Sequence, residues 1–403
     1  MNKFSTLNHQ KFFPEQETLH KIYNEKNLDE EEISRFIENY NTVDLLKIAS
    51  SLRNKNNPKI ITYSRKVFIN LINLCKDSCS YCTYKKEPMD AGSVMLKPSQ
   101  ALSIAEAGKK LKCTEALIVT GERPELKYGE AKSWLHEMGH RTLSDFIADL
   151  GEKILQKTGL LPHTNAGSLT KKEMSILKST NVSLGMMLEN SSEKLLQVGK
   201  AHEKAPSKNP KVRIKSLVSA GELKIPITTG LLIGIGENLV DVIRSILLIK
   251  ELNKKYGHIQ EVIIQNFSPK PGTGMENFNP PSDTYFLKCI AAARILLKNI
   301  NIQVPPNLSP QTYSRYLDSG INDWGGISPL TPDYVNPEYP WPTIKDVKRV
   351  TGMKGFALRA RLPIYPEFIK KPYNYNYFVA DNLKKYSETL IDDTGLVKEE
   401  YIQ

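Results

Sequence analysis

The sequence predicts an α/β fold: a TIM-type (β/α) barrel with a helical appendage before it and a loop and helix extension after it. Short apolar segments rich in β-branched residues alternate with helix-like segments between residues 66 and 326. Apolar segments of this kind are typical of parallel strands that are covered on both faces. Seven predicted strands, joined by crossover segments, suit a closed barrel better than an open doubly wound sheet.

The strands and helices are predicted from the periodicity of apolar residues. The predicted strands are Val67–Asn73, Ala116–Thr120, Leu160–Thr164, Val182–Leu188, Ile225–Ile233, Glu261–Phe267 and Ile302–Val304. Helices are predicted over Ser99–Leu111, Thr142–Thr158, Asn238–Tyr256 and Asp283–Asn299. Because ligand groups in such a barrel gather at the carboxyl ends of the strands, polar residues that follow a strand are the first candidates for a site.

The chain is expected to divide into three parts. Residues 1–58 are predicted as the helical appendage, because the acidic run from Asp29 to Glu32 suits a first helical turn. Residues 59–344 form the predicted barrel, and residues 345–403 form the C-terminal extension. The segment Ser328–Pro342 is rich in proline and aromatic residues, so we expect an ordered loop near the mouth of the barrel.

Charge and cysteine content limit the classes of function. The net charge is +11, but lysines are spread along the whole chain, which does not favour a nucleic-acid-binding face. The apolar segments are too short to span a bilayer and the first residues do not form a signal peptide, so we expect a cytoplasmic protein with no membrane partner. Five cysteines, three of them within eight residues, indicate a metal site rather than a disulfide framework.

Cys75, Cys79 and Cys82 follow the first predicted strand in the spacing C-x3-C-x2-C. Structural zinc sites and ferredoxin cubanes normally use four protein ligands. The other two cysteines, Cys113 and Cys289, lie far away in sequence. Three thiolates would leave one iron of a cluster open for another molecule to bind, whereas a zinc loop is the alternative interpretation.

The spacing and position of these cysteines resemble the signature of the radical S-adenosylmethionine superfamily. The resemblance implies a [4Fe-4S] cluster on Cys75, Cys79 and Cys82, whose open iron binds the amino and carboxylate groups of S-adenosylmethionine. It also implies electron transfer to the sulfonium, and a 5′-deoxyadenosyl radical that removes a hydrogen atom from the substrate. Tyr81 matches the aromatic position that the superfamily places beside the adenine.

Residues at the next strand ends are expected to contact S-adenosylmethionine. Gly121 and Glu122 resemble the superfamily's glycine–glutamate motif, although Thr120 replaces its first glycine. Asn165 ends the third predicted strand and Glu189 follows the fourth, where a polar group can bind ribose hydroxyls or the carboxylate of the cofactor. A structural role in the loops is the alternative for each of them.

The fifth predicted strand runs into Gly230–Glu237, which resembles the superfamily's adenine-contacting motif. Its glycines, Gly230 and Gly234, let a flat base lie against the backbone. Glu237 is expected to cap the next helix, where an acidic group suits the helix dipole.

Longer segments resemble the family of 7,8-didemethyl-8-hydroxy-5-deazariboflavin (FO) synthase subunit 1, over about residues 60–370. They are Tyr63–Phe68, Gly159–His163, Tyr256–Val262, Gln265–Phe267, Lys270–Thr273, Gly320–Gly326 and Ser328–Asp333. The resemblance implies that an adduct of a tyrosine-derived 4-hydroxybenzyl group and a ribityl-diaminouracil is the substrate. Hydrogen abstraction, ring closure and loss of ammonia then give the deazaflavin chromophore of coenzyme F420.

Such a substrate needs polar contacts for the uracil and ribityl parts and apolar walls for the phenol. The candidates near predicted strand ends are His258, Gln265, Asn266, Asn322, Asp323 and, as a wall, Trp324. The implied partners are the companion FO synthase subunit 2, which makes the adduct, and a low-potential electron donor such as ferredoxin or flavodoxin.

Two related enzymes are the alternatives to subunit 1. They are the companion subunit itself and a radical enzyme of menaquinone biosynthesis, which share the cysteine loop. Gln265–Gly272 and the Ser328–Pro342 loop favour subunit 1. An RNA-modifying radical enzyme would normally carry an RNA-binding module, and none is visible after the predicted barrel.

Overall fold

The computed structural model describes residues 18, 19, 21, 29–56, 59–369 and 375–402 of the chain. Eight parallel strands close into a barrel, because β1 pairs with both β2 and β8. The strands are β1 (Ile60–Ile72), β2 (Glu115–Thr120), β3 (Leu161–Asn165), β4 (Ser183–Gly185), β5 (Ile227–Ile233), β6 (Ile259–Asn266), β7 (Asn301–Gln303) and β8 (Asp323–Ile327), with β9 (Ala357–Arg361) beside β1. The predicted TIM-type α/β barrel is confirmed.

Helices cover the outside of the barrel and most of them connect consecutive strands. They are α1 (Glu30–Asn39), α2 (Thr42–Asn56), α3 (Pro98–Lys110), α4 (Gly129–Glu137), α5 (Leu143–Thr158), α6 (Lys171–Leu177), α7 (Pro210–Glu222), α8 (Leu239–Tyr256), α9 (Asp283–Leu297), α10 (Ile344–Met353) and α11 (Asp381–Glu388). Short helical turns occur at Pro124–Leu126, Glu193–Leu196, Pro206–Lys208, Tyr313–Ser319, Pro366–Ile369, Tyr375–Phe378 and Glu399–Ile402. In the part of the chain that the structure describes, no helix combines the length and apolarity needed to cross a bilayer.

The alternation of side chains along β1 explains how the barrel interior, or lumen, is built. Val67, Ile69 and Leu71 are buried in the core beneath the helices. The side chains between them point to the other face of the strand, because successive residues alternate. Lys66 lines a lumen cavity, and Phe68 packs in a separate small cluster with residues of β2. One strand therefore supplies both the core and the lumen.

The first helix of the appendage begins at the acidic run, as the sequence predicts. Asp29 caps α1, since its Oδ1 accepts from the Glu32 backbone N–H at 2.6 Å, and Glu32 reciprocates in a capping box. Helices α1 and α2 pack on α8 and α9 of the barrel. The rest of the predicted appendage, residues 1–28 apart from 18, 19 and 21, and residues 57–58, lies outside the described residues.

Two strands were not predicted. The first is β8, Asp323–Ile327, which begins inside the glycine-rich Gly320–Gly326 segment. Its glycines make room for neighbouring side chains: a Cβ on Gly325 would meet Gln303, and one on Gly326 would meet Lys66. The C-terminal extension contributes β9, which pairs with β1 from Ile60 to Ser64, before β2 begins to pair with it at Lys66.

Candidate active site

The cysteine loop, residues 75–82, follows β1 at the carboxyl ends of the strands. Later segments hold its backbone. The Ser78 N–H donates to the Lys204 carbonyl at 2.8 Å, and the Ser80 N–H donates to the Ala201 carbonyl at 2.9 Å. The Met275 N–H donates back to the Ser80 carbonyl at 3.0 Å. The three thiols are therefore positioned by two distant loops as well as by their own spacing.

Cys75, Cys79 and Cys82 are free and partly exposed, whereas Cys113 and Cys289 are buried. Burial raises the pKa of Cys75 to about 11 and that of Cys79 to about 12. Among the described residues, no three His, Cys, Asp or Glu side chains converge on one metal-ion position. In a cubane each cysteine binds a different iron, so three loop thiols suit a cluster that keeps one iron open.

Gly121 lets the end of β2 approach the cysteine loop. A Cβ at this position would lie 1.9 Å from the Leu74 carbonyl oxygen, so a larger residue would push the loop away. The next backbone N–H, that of Glu122, donates to Cys75 Sγ at 3.2 Å. Such a donor stabilises a thiolate and therefore suits a residue that binds iron.

The Glu122 carboxylate, which is predicted to contact S-adenosylmethionine, is hydrogen-bonded to a neighbouring loop. Its Oε1 accepts from Ser168 Oγ at 2.6 Å, its Oε2 accepts from the Ser168 N–H at 2.9 Å, and Arg213 lies 3.5 Å away. These contacts use the carboxylate to hold the β3–α6 loop. The backbone of Glu122 therefore lies in the site, while its side chain supports the loop beside it.

Tyr81 lies among apolar residues at the barrel mouth. Its ring packs against a cluster that includes Leu232, Ile235 and Phe267. Its hydroxyl and His202 Nε2 are 3.0 Å apart, and burial raises the pKa of the phenol well above its usual value. The side chain is thus a fixed, neutral wall. His202 was not predicted, because the segment after β4 carries no periodic pattern that would single it out.

Glu189 forms a buried ion pair next to Cys79. The backbone of Glu189 is left-handed, with φ 63°, and Lys208 Nζ donates to its Oε1. Burial has the largest single effect and raises the pKa of Glu189. The charge and hydrogen bond of Lys208, together with the charges of Arg213 and His202, outweigh it, so the net pKa is lowered. The same lysine lowers the pKa of Cys79 against the larger effect of burial. Lys208 and Arg213, which donates to the Met187 carbonyl at 3.1 Å, were not predicted from the sequence.

The glycines after β5 shape the backbone. A Cβ on Gly230 would lie 2.3 Å from the Ile263 carbonyl oxygen, and Gly234 has φ 100°, which favours glycine. Glu237 accepts from the Gly234 N–H at 2.6 Å and the Ile235 N–H at 2.8 Å. Asn238, not Glu237, caps α8, so the predicted cap is wrong by one residue.

Two of the predicted substrate residues line a cavity beside the cysteines. This mouth cavity has a volume of about 130 Å³. It is lined by Tyr81, Cys82, Met187, Glu189, Leu232, Gln265, Asn266, Phe267, Ser268, Lys270, Val335 and Asn336. Asn266 Oδ1 is buried there without a partner among the described residues. The structure therefore brings Gln265 and Asn266 together with Tyr81, Cys82 and Glu189.

The proline-rich loop lies over this end of the barrel. Lys270 Nζ donates to the Val335 carbonyl at 2.7 Å and to Asn336 Oδ1 at 2.8 Å. Thr331 Oγ1 accepts from the Phe68 N–H at 2.8 Å, which attaches the start of the loop to β1. The loop thus covers the mouth, as its position after the last strand predicted.

Asn165 lies in a second cavity inside the barrel. This lumen cavity has a volume of about 90 Å³ and is lined by Lys66, Glu115, Leu117, His163, Asn165, Thr228, Glu261, Ile263, Gln303, Gly326, Arg361 and Pro363. His163 Nε2 and Asn165 Oδ1 are 3.1 Å apart. Asn165 is therefore separate from the residues that line the mouth cavity.

Four predicted substrate residues lie away from the mouth. His258 precedes β6 at the opposite end of the barrel, is fully buried and donates from Nε2 to the Leu217 carbonyl at 2.8 Å. Asn322 precedes β8, and its Oδ1 accepts from Arg294 Nη2 at 2.6 Å. Both residues come before their strands rather than after them, so neither lies at the carboxyl end of a strand, where the sequence placed it.

Asp323 and Trp324 are the other two predicted substrate residues that lie away from the mouth. Asp323 pairs in register with Thr62, ten residues before the end of β1, and is fully buried against Arg361. Trp324 is fully buried and donates from Nε1 to Thr351 Oγ1 of α10 at 3.0 Å, so it faces the helices and not the lumen. Neither side chain reaches the mouth cavity.

The chain is similar to known proteins over most of its length. Residues 69–249 match the Radical SAM superfamily model. The chain is 43% identical over 84% of its length to the whole of the 7,8-didemethyl-8-hydroxy-5-deazariboflavin synthase of Methanopyrus kandleri. It is 44% identical over 85% of its length to 94% of the synthase of that name from Methanocaldococcus jannaschii.

Solved structures share the fold. The FeFe-hydrogenase maturase HydG from Carboxydothermus hydrogenoformans matches with a TM-score of 0.69 and 21% identity over 86% of this chain and 79% of that one. Methylornithine synthase matches with a TM-score of 0.66 and 17% identity over 84% of this chain and 96% of that one. The identity to the synthases is high over most of the barrel. This chain is a radical S-adenosylmethionine enzyme and belongs to the 7,8-didemethyl-8-hydroxy-5-deazariboflavin synthase family.

Proposed function

We propose that this chain forms the FO deazaflavin from 5-amino-5-(4-hydroxybenzyl)-6-(D-ribitylimino)-5,6-dihydrouracil. The observation that carries the proposal is its 43% identity to a synthase of that name over the full length of the relative. A hydrogen atom is removed from the adduct, its two halves are joined into a third ring, and ammonia is lost. The related names do not favour the adduct-forming subunit or a menaquinone-pathway enzyme.

Cys75, Cys79 and Cys82 would hold the [4Fe-4S] cluster. When bound, the cluster supplies the electron that cleaves S-adenosylmethionine and so generates the hydrogen-abstracting radical. The Glu122 N–H, 3.2 Å from Cys75 Sγ, and the Lys208 ammonium both favour a thiolate over a thiol at the loop. Cys113 and Cys289 are buried elsewhere and have no part in the site.

S-adenosylmethionine would bind between the cysteine loop and the ends of β2, β4 and β5. Glu189 and Tyr81 line the mouth cavity, where a carboxylate can accept from an ammonium or hydroxyl group and an aromatic ring can lie beside a base. Gly121, Gly230 and Gly234 contribute backbone rather than side chains to this binding. Asn165, which lines the lumen cavity, is the least direct of the proposed contacts.

The lumen suits a substrate with one apolar and one polar half. Phe68, Tyr84, Leu117 and Val119 form an apolar cluster against which Cys82 and Tyr334 pack. The lumen cavity deeper in the barrel is lined mainly by polar and charged side chains. This order supports a pose in which the phenol lies beneath the cysteines, while Gln265 and Asn266 contact the substrate at the mouth.

Formation of the fluorescent deazaflavin is the direct test. Anaerobically reconstituted protein is incubated with the purified adduct, S-adenosylmethionine and a reductant, and the product is identified by fluorescence and mass. The control is a variant with all three loop cysteines replaced by alanine. Cleavage of S-adenosylmethionine without any deazaflavin from the parent protein would contradict the proposal.

Two partners follow from this reaction. The companion FO synthase subunit would supply the adduct, and a ferredoxin or flavodoxin would supply low-potential electrons. An acidic electron donor suits a chain with a net charge of +11. Reduction of the reconstituted protein by a flavodoxin, weakened by rising salt, is the measurement that checks this pairing.

A further inference from the structure

Lys66 is a buried lysine whose ammonium lies over the rings of Phe68 and Trp341, at 5.5 and 4.9 Å from their centres. Its side chain is 8% exposed and lines the lumen cavity. Its ammonium makes no hydrogen bond or ion pair with any residue in the ranges that the structure describes. Leaving a buried cation unpaired is costly, so a lysine in this state indicates that an acceptor from outside the protein belongs beside it.

The nearby carboxylates already accept from other groups. The carboxylates whose charges act most strongly on Lys66 are Glu115, Asp333 and Glu261, and the Arg361 charge acts against them. Glu115 accepts from Ser64, Asp333 Oδ2 accepts from Asn307 Nδ2 at 3.0 Å, and Glu261 accepts from Arg361 and Tyr365. Burial lowers the pKa of Lys66, and the charges of these carboxylates oppose that effect without hydrogen-bonding its ammonium.

A second unpaired donor lies next to Lys66. The Trp341 ring centre is 4.9 Å from Lys66 Nζ, and its Nε1 is buried without a partner among the described residues. Trp341 belongs to the proline-rich loop that covers the mouth. The Trp341 N–H and the Lys66 ammonium both lack an acceptor within the described part of the chain, which points to a ligand that carries acceptor oxygens.

The other side chains that line the lumen cavity limit the kinds of group that the ligand can carry there. Gln303 and His163 can both donate and accept, whereas Glu115 accepts. The cavity of about 90 Å³ has room for about three water molecules, which a polar head group would displace. Alternating carbonyl and N–H groups, as on a pyrimidine-dione ring, match such a mixed lining.

We propose that Lys66 binds the uracil ring of the substrate by donating from Nζ to a ring carbonyl oxygen. This inference rests on the proposed function and deepens it. The apolar cluster around Phe68 lies between Lys66 and Cys82 and receives the phenol, so the two halves of the adduct are bound at different depths. Lys66 is thus a substrate-binding residue that fixes the orientation of the adduct in the lumen.

The test uses cluster-loaded protein with S-adenosylmethionine and two probes. The first probe is 5-amino-6-(D-ribitylamino)uracil, which keeps the uracil and lacks the phenol; the second is p-cresol, which keeps only the phenol. Lys66→Met removes the charge, and Lys132→Met, on an exposed position of α4, is the matched control. Calorimetry measures the affinity of each probe, and the KM for the adduct is measured in parallel.

Lys66→Met is expected to lower the affinity for the ribitylaminouracil probe about 10- to 100-fold. A loss of this size is typical when a hydrogen bond to a charged group is removed. The p-cresol affinity, iron content and S-adenosylmethionine affinity stay at the parent's values, as do all affinities of Lys132→Met. An unchanged probe affinity in Lys66→Met overturns the inference. A parent that makes no deazaflavin instead contradicts the proposed function.

A second variant moves Lys66 without removing it. A Cβ on Gly326 would lie 2.3 Å from Lys66 Cδ, so Gly326→Ala should push the ammonium aside. This variant decides the question if Lys66→Met fails to hold its cluster. The inference predicts weaker binding of the ribitylaminouracil probe to Gly326→Ala, and parental affinity in a folded variant overturns it.

Discussion

The two ends of the barrel differ in how their buried polar side chains are paired. The end away from the cysteine loop is called the closed end. At the closed end, β9 brings Arg361 to Asp323, with Nε to Oδ2 at 2.6 Å, and to Glu261, with Nη2 to Oε1 at 2.9 Å. Thr62 and Tyr365 also donate to these carboxylates, at 2.5 and 2.7 Å. At the cysteine end Glu189 is paired with Lys208, but Asn266 Oδ1 has no hydrogen-bond partner among the described residues. Lys66, which lines the lumen cavity between the two ends, has no hydrogen-bond or ion-pair partner among them either. A buried polar group that is fully paired supports the fold, whereas one left without such a partner indicates a binding site.

The largest effect is expected at the cysteine end. Replacing any one of Cys75, Cys79 or Cys82 by alanine should abolish the cluster, and with it the cleavage of S-adenosylmethionine. Cys113→Ala and Cys289→Ala should retain about four irons per chain, because both side chains are buried away from the loop. Iron and sulfide analysis of the five variants checks this. A cluster that survives the loss of Cys79 would rule out the assignment.

A substitution at the closed end should lower the free energy of unfolding rather than the affinity for a ligand. Asp323→Asn leaves Arg361 buried without its strongest partner, which costs about 3–5 kcal/mol of the free energy of unfolding. Asp318→Asn, which removes an exposed partner of Lys354, is the control and should cost under about 1 kcal/mol. Denaturant unfolding measures both. A variant of parental stability that cleaves S-adenosylmethionine but forms no deazaflavin would return Asp323 to the substrate site.

Substitution of Glu189 tests the role of its ion pair with Lys208, beside Cys79. Glu189→Gln keeps the shape of the side chain and removes its charge, so S-adenosylmethionine should bind about 10-fold more weakly while the iron content is kept. Glu193→Gln, in an exposed pair with Lys211, is the matched control and should bind as the parent does. Equilibrium binding of S-adenosylmethionine to cluster-loaded protein is the measurement. Equal affinities of the two variants would limit Glu189 to holding Lys208.

The smallest effect concerns the buried histidine at the closed end. Burial lowers the pKa of His258 to about 4, below its unfolded value of about 6.5, so the unfolded chain takes up a proton that the folded chain does not. The stability contributed by neutral His258 is therefore complete above pH 6.5 and is lost as the pH falls toward 4. His258→Gln should make the unfolding free energy less dependent on pH in this window, whereas exposed His136→Gln should not. Deazaflavin formation at pH 7 should be unaffected, since His258 lies far from the mouth.

The sequence by itself determined the features that depend only on residues close together in the chain. The alternation of apolar strands and helices fixed the barrel, because each segment carries its own periodicity. The thiols of Cys75, Cys79 and Cys82 lie in one loop, so their spacing alone brings them together. Gln265 and Asn266 reach the mouth cavity because they end β6, which the apolar run had already located.

Only the tertiary structure decided which polar residues face each other across the barrel. Lys208 reaches Glu189 through the fold of an aperiodic segment, and Arg361 reaches Asp323 because an unpredicted strand pairs with β1. Gly325 and Gly326 make room for Gln303 and Lys66 beside a strand that the sequence did not predict. Local pattern cannot show such contacts, because they depend on strand register and on which end of a strand a residue occupies.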